Sequence, residues 1–184
     1  MEKKNIKGTE LSKKTLGIVG FGNVGVRLSN LVKGFGVNIL VSSKSLESRK
    51  KDFPHVKNVS FDELISTSDI ISFHCKAAPD GKPLISKEHY KKMKPTAVII
   101  NTARGNIVDE NDLNAALNEN LIAGAALDVY SKEPAKENNL FNNPKAILTP
   151  HVAASTAEAS IVVAEMAANQ ISDFLLKGTK INTV

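Results

Sequence analysis

The stretch TLGIVGFGNVG, at residues 15–25, joins a short apolar run to a glycine-rich turn. The run from Thr15 to Gly20 predicts a strand that is buried on both faces. A helical pattern begins at about Gly22 and ends near Lys33. Its predicted apolar side contains Val24, Leu28, Leu31 and Val32. The turn is therefore expected to connect a buried strand to an amphipathic helix.

The glycines of this turn match the pattern G-x-G-x-x-G, which binds dinucleotides when it stands between a strand and a helix. Gly20 permits a tight turn, and Gly22 leaves room for a pyrophosphate over the helix N-terminus. Gly25 lets the helix and the strand pack closely. Because the amide groups and the dipole at a helix N-terminus attract anions, the sequence predicts a dinucleotide site at this turn.

Strand and helix patterns alternate along the rest of the chain. Further strands are predicted at 37–41, 69–74, 97–101, 122–129 and 146–149. Helices are predicted at 61–67, 87–93 and 109–118, and a long helix is expected to end at Gly178. This order predicts an α/β fold, a Rossmann-like doubly wound parallel sheet in three layers within a single domain, residues 15–178.

The composition is that of an ordinary soluble domain. Hydrophobic residues make up 42% and charged residues 23% of the 184 residues. The net charge is +5, but the lysines are dispersed and no recognition motif accompanies them, so no nucleic-acid partner is expected. Cys75 is the single cysteine, so an internal disulfide is excluded and no structural metal site is expected. A cytoplasmic location is therefore the expectation. No apolar run approaches the ~20 residues that span a bilayer, so no membrane association is expected.

The end of the second predicted strand lacks the acidic residue that usually binds the adenosine ribose hydroxyls of NAD. Ser43 stands in its place, and Lys44 follows. A hydroxyl and a cation can accept the 2′-phosphate of NADP, which favours NADP. Relaxed binding of NAD is the alternative, so the predicted cofactor is NAD or NADP.

Several motifs occur in an order that resembles the D-isomer-specific 2-hydroxyacid dehydrogenases. They are GFGNVG at 20–25, NTARG at 101–105, ALDVY at 126–130 followed by Glu133-Pro134, and TPH at 149–151. The resemblance extends from about Gly8 to Val184. Within the family, the segment PHVAASTAEA at 150–159 is most similar to D-3-phosphoglycerate dehydrogenases, which implies a role in serine biosynthesis.

This resemblance implies that a 2-hydroxy acid is oxidised to a 2-keto acid by hydride transfer to the nucleotide. The reaction requires a base for the hydroxyl proton, a cation for the carboxylate and a hydride acceptor. Arg104 would bind the carboxylate and polarise the carbonyl. His151 would exchange the proton, and Glu133 would orient the His151 ring and favour its protonated form.

The resemblance also implies a set of cofactor contacts. Asp128 would lie near the nicotinamide ribose and carboxamide. The other implied contacts are the backbone of Asn23 and Val24, and Cys75, Thr102, Ala103, Arg104, His151 and Ala154. Packing is the alternative role for Cys75. The family usually has Pro-Leu-Thr after this position, whereas this chain has Lys76-Ala77-Ala78, which leaves the shape of that loop open.

The family's substrate domain is built from residues on both sides of the nucleotide domain. Here 1–14 and 179–184 resemble short connections to such a domain, so we expect a fragment that binds nucleotide with little turnover. The resemblance implies a homodimer and a small 2-hydroxy or 2-keto acid substrate, whose identity stays open. An NAD(H)-sensing corepressor-like module is the alternative. Some relatives of this family act as nucleotide-dependent corepressors and keep the same Arg, Glu and His residues, so these residues do not discriminate between the two functions.

Overall fold

The computed structural model describes residues 8–181. The chain divides into two compact units, Met1–Pro150 and His151–Val184. The first unit contains the β-sheet, and a long helix lies in the second. The predicted connections 1–14 and 179–184 lie partly outside the described residues.

A parallel sheet organises the first unit. Its strands are β1 (Thr15–Val19), β2 (Asn38–Ser42), β3 (Lys57–Asn58), β4 (Ile70–Phe73), β5 (Val98–Asn101), β6 (Gly124–Leu127) and β7 (Ala146–Leu148). Neighbouring strands pair in parallel in the order β3-β2-β1-β4-β5-β6-β7. The chain builds one half of the sheet outward from β1 and the other half outward from β4. This reversal confirms the predicted Rossmann-like doubly wound sheet.

Helices connect the strands. They are α1 (Asn23–Val32), α2 (Lys44–Glu47), α3 (Phe61–Thr67), α4 (Lys87–Tyr90), α5 (Glu110–Asn118) and, in the second unit, α6 (Ala157–Lys177). Side-chain caps fix the starts of α3 and α5. Ser60 Oγ accepts a hydrogen bond from Glu63 N at 3.1 Å, and Asp109 Oδ1 accepts from Asn111 N at 3.0 Å and Asp112 N at 2.9 Å. Both helices therefore begin within one residue of the predicted positions.

Apolar side chains cover both faces of the sheet. Ile18 and Val41 belong to a cluster that Leu28 of α1 joins, whereas Val19 and Leu40 belong to a larger cluster on the other face. Successive residues of a strand point to opposite faces, so β1 and β2 contribute to both clusters. The three-layer arrangement predicted from the sequence is confirmed.

The predicted apolar side of α1 is wrong in part. Val24 and Leu31 are 62% and 63% exposed, whereas Gly25 and Ser29 are buried. The helix lies so close to the sheet at Gly25 that the line of residues through Gly25 and Ser29 becomes its buried side. Hydrophobic periodicity does not predict this approach, because neither glycine nor serine is a large apolar residue that would mark a buried side.

Some short elements also differ from the predictions. The sequence pattern does not predict α2 or β3, and α4 ends at Tyr90 rather than at residue 93. Beyond Tyr90 the chain continues in tighter turns, since Lys92 N donates to His89 O and Met93 N donates to Tyr90 O, each at 3.1 Å. In the second unit, α6 ends at Gly178, which adopts a φ of 65° as a left-handed cap, and this end is confirmed.

Among residues 8–181, no helix is long and apolar enough to cross a membrane. In the same part of the chain, no group of three or more His, Cys, Asp or Glu side chains is placed to hold a metal ion.

Gly17, in the middle of β1, lies directly beneath α3. A Cβ added at Gly17 would overlap Ser68 Oγ and would lie 2.6 and 2.8 Å from Leu64 Cδ2 and Cγ. We expect Gly17→Ala to lower the free energy of unfolding by about 1–3 kcal/mol, as overpacking of a core does. Urea denaturation measures this loss. Gly34→Ala is the matched control, since nothing lies within 4 Å of that Cβ, and an equal loss in both variants would contradict the steric explanation.

Candidate functional site

The glycine turn between β1 and α1 contacts the end of β4. Gly20 has a φ of 91°, and a Cβ there would lie 2.7 Å from Cys75 N and from the carbonyl carbon and oxygen of His74. A Cβ at Gly25 would lie 2.5 Å from Gly20 O. These distances leave no room for a side chain at either position. The turn therefore depends on glycine for its conformation and for its close contacts.

Gly22 differs from these two glycines, because a Cβ there would meet nothing within 4 Å. Gly22 is the N-cap of α1, and the first turn of that helix contains no acidic residue. The first amide groups of a helix have no partners within the helix, and the helix dipole adds positive potential at that end. The open space at Gly22 can therefore hold an anionic group against these amides.

A cleft of about 460 Å³ opens beside this turn, at the carboxyl ends of β4 and β5. It is lined by Val24, His74, Cys75, Lys76, Ala77, Thr102, Ala103 and Arg104. The cleft lies next to the point where strand order reverses between β1 and β4, which is where ligands bind in open α/β sheets. It brings together five residues of the predicted site, namely Val24, Cys75, Thr102, Ala103 and Arg104.

The charge of this cleft comes from Lys76 and Arg104, because its lining includes no acidic residue. His74 accepts or donates a hydrogen bond at 2.9 Å between its Nε2 and Ser72 Oγ, and burial lowers the pKa of its ring. Burial raises the pKa of the Cys75 thiol, although a hydrogen bond to its own backbone amide acts in the opposite direction. His74 and Cys75 are therefore neutral at pH 7, and the cleft is cationic.

Asn101 fixes the loop that carries Arg104. This fully buried residue ends β5, and its Nδ2 donates to Arg104 O at 2.9 Å while its Oδ1 accepts from Ala103 N at 3.1 Å. Arg104 Nη1 donates to Ala103 O at 2.6 Å, so the guanidinium stays near its own loop. Asn101 is part of the NTARG motif, but the sequence did not predict this role for it. A polar residue at the end of an otherwise apolar strand was the available signal.

A second hollow, of about 590 Å³, lies at the end of β2 and is lined by Ser42, Ser43, Lys44, Glu47, Asn58 and Val59. It contains the predicted residues Ser43 and Lys44. It also contains Glu47 of α2, which sequence reasoning missed. Glu47 Oε2 accepts from Asn58 Nδ2 at 2.9 Å, and Glu47 Oε1 accepts from Lys50 Nζ at 2.8 Å. The Lys50 hydrogen bond, followed by that from Asn58, lowers the pKa of Glu47, so this hollow holds an ionised carboxylate.

Glu133 lies in the loop that follows β6. Its Oε1 accepts a hydrogen bond from Tyr130 N at 2.9 Å. The backbone of this loop packs on Gly105, where a Cβ would overlap the carbonyl of Tyr130. The predicted residue Asp128 stands at the start of this loop, is 3% exposed and accepts a hydrogen bond from Thr149 Oγ1. The loops that carry Arg104 and Glu133 are therefore in direct contact through their backbones.

His151 and Ala154 belong to the second unit. His151 has a φ of 55°, in the left-handed region that a non-glycine residue rarely adopts. Strained backbone of this kind is concentrated at functional sites. The roles of His151 and Ala154 stay predictions.

The protein-family model that describes the NAD-binding domain of D-isomer-specific 2-hydroxyacid dehydrogenases matches residues 1–153. The chain belongs to the D-isomer-specific 2-hydroxyacid dehydrogenase family. It is 42% identical over 175 residues to a D-3-phosphoglycerate dehydrogenase of Synechocystis sp., an alignment that covers 95% of this chain and 32% of that protein.

Solved structures of several enzymes superpose on the chain. A glyoxylate reductase from Paecilomyes thermophila superposes with a TM-score of 0.87 and 35% identity, covering 97% of this chain and 54% of that one. An acyclic imino acid reductase in complex with NADPH and D-Arg superposes with a TM-score of 0.89 and 29% identity, covering 100% of this chain and 58% of that one. The dehydrogenase-family chain thus spans between about a third and somewhat more than half of these proteins, and it corresponds to the family's NAD-binding domain.

Gly22 offers a direct test of the dinucleotide site. Its φ of −81° and ψ of −162° are open to alanine, so Gly22→Ala should change the free energy of unfolding by less than about 0.5 kcal/mol. The added methyl group would enter the space over the helix N-terminus, and we expect roughly tenfold weaker binding of NADH, a change of about 1.4 kcal/mol. NADH fluorescence titration measures the affinity. Unchanged affinity in Gly22→Ala would show that the pyrophosphate does not pass this position, and Gly34→Ala controls for a general glycine effect.

Proposed function

We propose that this chain is the part of an NAD(P)-dependent D-2-hydroxyacid dehydrogenase that binds the nucleotide and supplies the hydride-transfer residues. The observation that carries the proposal is the position of Arg104 in the cationic cleft beside the glycine turn. A nucleotide whose pyrophosphate lies over Gly22 has its nicotinamide end directed along this edge of the sheet. A cation at the same edge can bind the carboxylate of a 2-hydroxy or 2-keto acid.

The proposed chemistry divides among three side chains. When bound, the nicotinamide accepts a hydride from the 2-hydroxy acid or returns one to the 2-keto acid. Arg104 holds the substrate carboxylate and polarises the carbonyl. His151 takes the hydroxyl proton in oxidation and returns it in reduction, while Glu133 orients the His151 ring and stabilises its protonated form. The family membership supports these assignments, because the motifs around all three residues match together.

The remaining predicted cofactor contacts divide along the sheet edge. The backbone of Asn23 and Val24 would hold the pyrophosphate. Thr102, Ala103 and Cys75 line the cleft in which the nicotinamide half would lie. Asp128 and Ala154 are assigned to the nicotinamide half by the family resemblance. Ser43 and Lys44 line the hollow at the end of β2, where the adenosine ribose would lie.

The hollow at the end of β2 contains opposing charges that bear on the choice between NAD and NADP. Lys44 would attract a 2′-phosphate, whereas the ionised carboxylate of Glu47 would repel it. Glu47 can also accept a hydrogen bond from a ribose hydroxyl, which favours NAD. The family model describes NAD binding, and one structural relative is an NADPH complex, so both cofactors are proposed ligands.

Charge substitutions in this hollow should change the ratio of NADH to NADPH affinity. Two unit charges 4 Å apart in water interact by about 1 kcal/mol, which is roughly a fivefold change in affinity. Lys44→Ala should weaken NADPH by about this factor, and Glu47→Gln should strengthen NADPH by a similar factor. NADH affinity should change much less in both variants. Titrations of both nucleotides measure the ratio, Lys132→Ala is the control, and an unchanged ratio in both variants would place the 2′-phosphate elsewhere.

The substrate and the partners are also proposals. We propose a small 2-hydroxy or 2-keto acid, with 3-phosphoglycerate as the first candidate because of the similarity to D-3-phosphoglycerate dehydrogenase. A homodimer through this domain is proposed from the family resemblance. The corepressor-like alternative stays a prediction that gains no support from the relatives described above, which are all named as enzymes.

The proposal is tested by measuring nucleotide binding and turnover separately. The 184-residue chain should bind NADH but should turn over glyoxylate, hydroxypyruvate and 3-phosphoglycerate at well below about 1 s⁻¹ with either cofactor. When a substrate domain is added in trans, turnover should appear and should be lost in Arg104→Gln but not in the neighbouring surface variant Lys132→Gln. Failure to bind either nucleotide would overturn the proposed function. Turnover of the chain alone at rates of order 1–10³ s⁻¹ would show that it needs no further domain.

A further inference from the structure

One side of α5 presents polar side chains to the loop that carries Glu133. We call this set the polar ladder, and its members on α5 are Glu110, Asn111, Asn114 and Asn118. Asn111 Oδ1 accepts a hydrogen bond from Asn139 Nδ2 at 2.8 Å. Asn143 Nδ2 donates to Asn114 Oδ1 at 2.8 Å and to Asn118 Oδ1 at 3.3 Å. Asn111, Asn114 and Asn118 therefore contact the loop at positions about one helical turn apart along α5.

Glu110 is the member of this ladder that lies at the end near Glu133. Its Oε1 accepts from Ser131 N at 2.7 Å, and its Oε2 accepts from Ser131 Oγ at 3.1 Å and from Asn138 Nδ2 at 2.7 Å. Both carboxylate oxygens are thus bound to groups that flank Glu133 in the sequence. Hydrogen bonds to an ionised acceptor are stronger than those between neutral groups, so this contact should hold the loop more firmly than the amide pairs do.

A chain of contacts leads from Glu110 to the Glu133 carboxylate. Ser131, which Glu110 binds through backbone and side chain, follows Tyr130. Tyr130 N, in the peptide group before this one, donates to Glu133 Oε1 at 2.9 Å, so the position of Tyr130 sets the position of one carboxylate oxygen. The Tyr130–Ser131 peptide rests on Gly105, where a Cβ would lie 2.5 Å from Ser131 N. Glu110 therefore closes the loop onto the segment that begins with Arg104.

We propose that Glu110 is a positioning residue for Glu133, and this inference rests on the proposed function, in which Glu133 orients the His151 ring. Glu110 holds the Tyr130–Ser131 peptide and thereby fixes Tyr130, whose own N–H, in the preceding peptide group, is directed at the Glu133 carboxylate. The other members of the ladder bind the loop six or more residues beyond Glu133 and hold only its distal part. Glu110 and Arg104 belong to one short segment, so the same segment places both the carboxylate-binding cation and the acid that supports the base.

Amide hydrogen exchange of the 184-residue chain, followed by NMR, tests this proposal. The reporter is the Tyr130 amide, because its acceptor is Glu133 rather than Glu110. In Glu110→Ala we expect this amide to exchange roughly tenfold faster or more, while amides of β5 and β6 keep their wild-type rates. Glu133→Ala removes the acceptor directly and should give the same acceleration. Glu110→Gln keeps one acceptor oxygen and should give an intermediate rate even if the alanine variant is too unstable to study.

Two further variants separate positioning from general stabilisation. Asn111→Ala removes the neighbouring member of the ladder in the same turn of α5, and the Tyr130 amide should keep its wild-type rate. The double variant Glu110→Gln with Asn138→Asp reverses donor and acceptor across the same contact, so it should restore protection of the Tyr130 amide. The carboxylate introduced at position 138 would still accept from Leu140 N, as the Asn138 side chain does at 2.9 Å.

The proposal is overturned if Glu110→Ala leaves the Tyr130 amide at its wild-type rate, or if Asn111→Ala accelerates it equally. It is also overturned if the reversed pair exchanges as fast as Glu110→Ala, because packing rather than hydrogen bonding would then set the loop. A wild-type chain that fails to bind NADH contradicts the proposed function but does not change the exchange rates. The two failures are therefore distinguishable.

Discussion

The contact between the glycine turn and the end of β4 is the constraint on which the rest of the nucleotide site depends. A Cβ added at Gly20 would lie 2.7 Å from backbone atoms of His74 and Cys75, and a Cβ added at Gly25 would lie 2.5 Å from Gly20 O. Glycine at these two positions lets the turn lie directly against the end of β4. Helix α1 therefore begins beside β1 and β4, where the strand order reverses. The open space at Gly22 and the cleft beside Arg104 both result from this approach, since each is bounded by the turn on one side.

A second constraint acts at the other end of the cleft, where polar groups rather than close backbones hold the geometry. Asn101 is fully buried, and its side-chain amide accepts a hydrogen bond from Ala103 N and donates one to Arg104 O. The carboxylate of Glu110 has a similar role for the loop after β6. In both cases a buried or half-buried polar side chain satisfies backbone groups that the sheet leaves unpaired. These hydrogen bonds hold the loops at this edge of the sheet in place.

The sequence was sufficient to predict the fold because local signals agree with one another. The strand pattern and the glycine spacing each depend on residues a few positions apart. The apolar side of α1 was predicted wrongly in part, because the close approach at Gly25 is a tertiary fact that periodicity does not contain. The short elements α2 and β3 were missed for a related reason, since the four and two residues they comprise give too little pattern to recognise.

The candidate site was predictable where motifs are local, as for Val24, Cys75 and Arg104, which the structure brings to one cleft. Glu47 and Glu110 were not predictable in this way, because the contacts that place them in the site are made with Asn58, 11 residues from Glu47, and with groups 21 and 28 residues from Glu110. The contact of Gly105 with the Tyr130 peptide has a mechanical consequence. Because no Cβ fits between the two backbones, a shift of the segment around Arg104 displaces the segment around Glu133, and the cation and the acid are mechanically coupled without any side-chain contact between them.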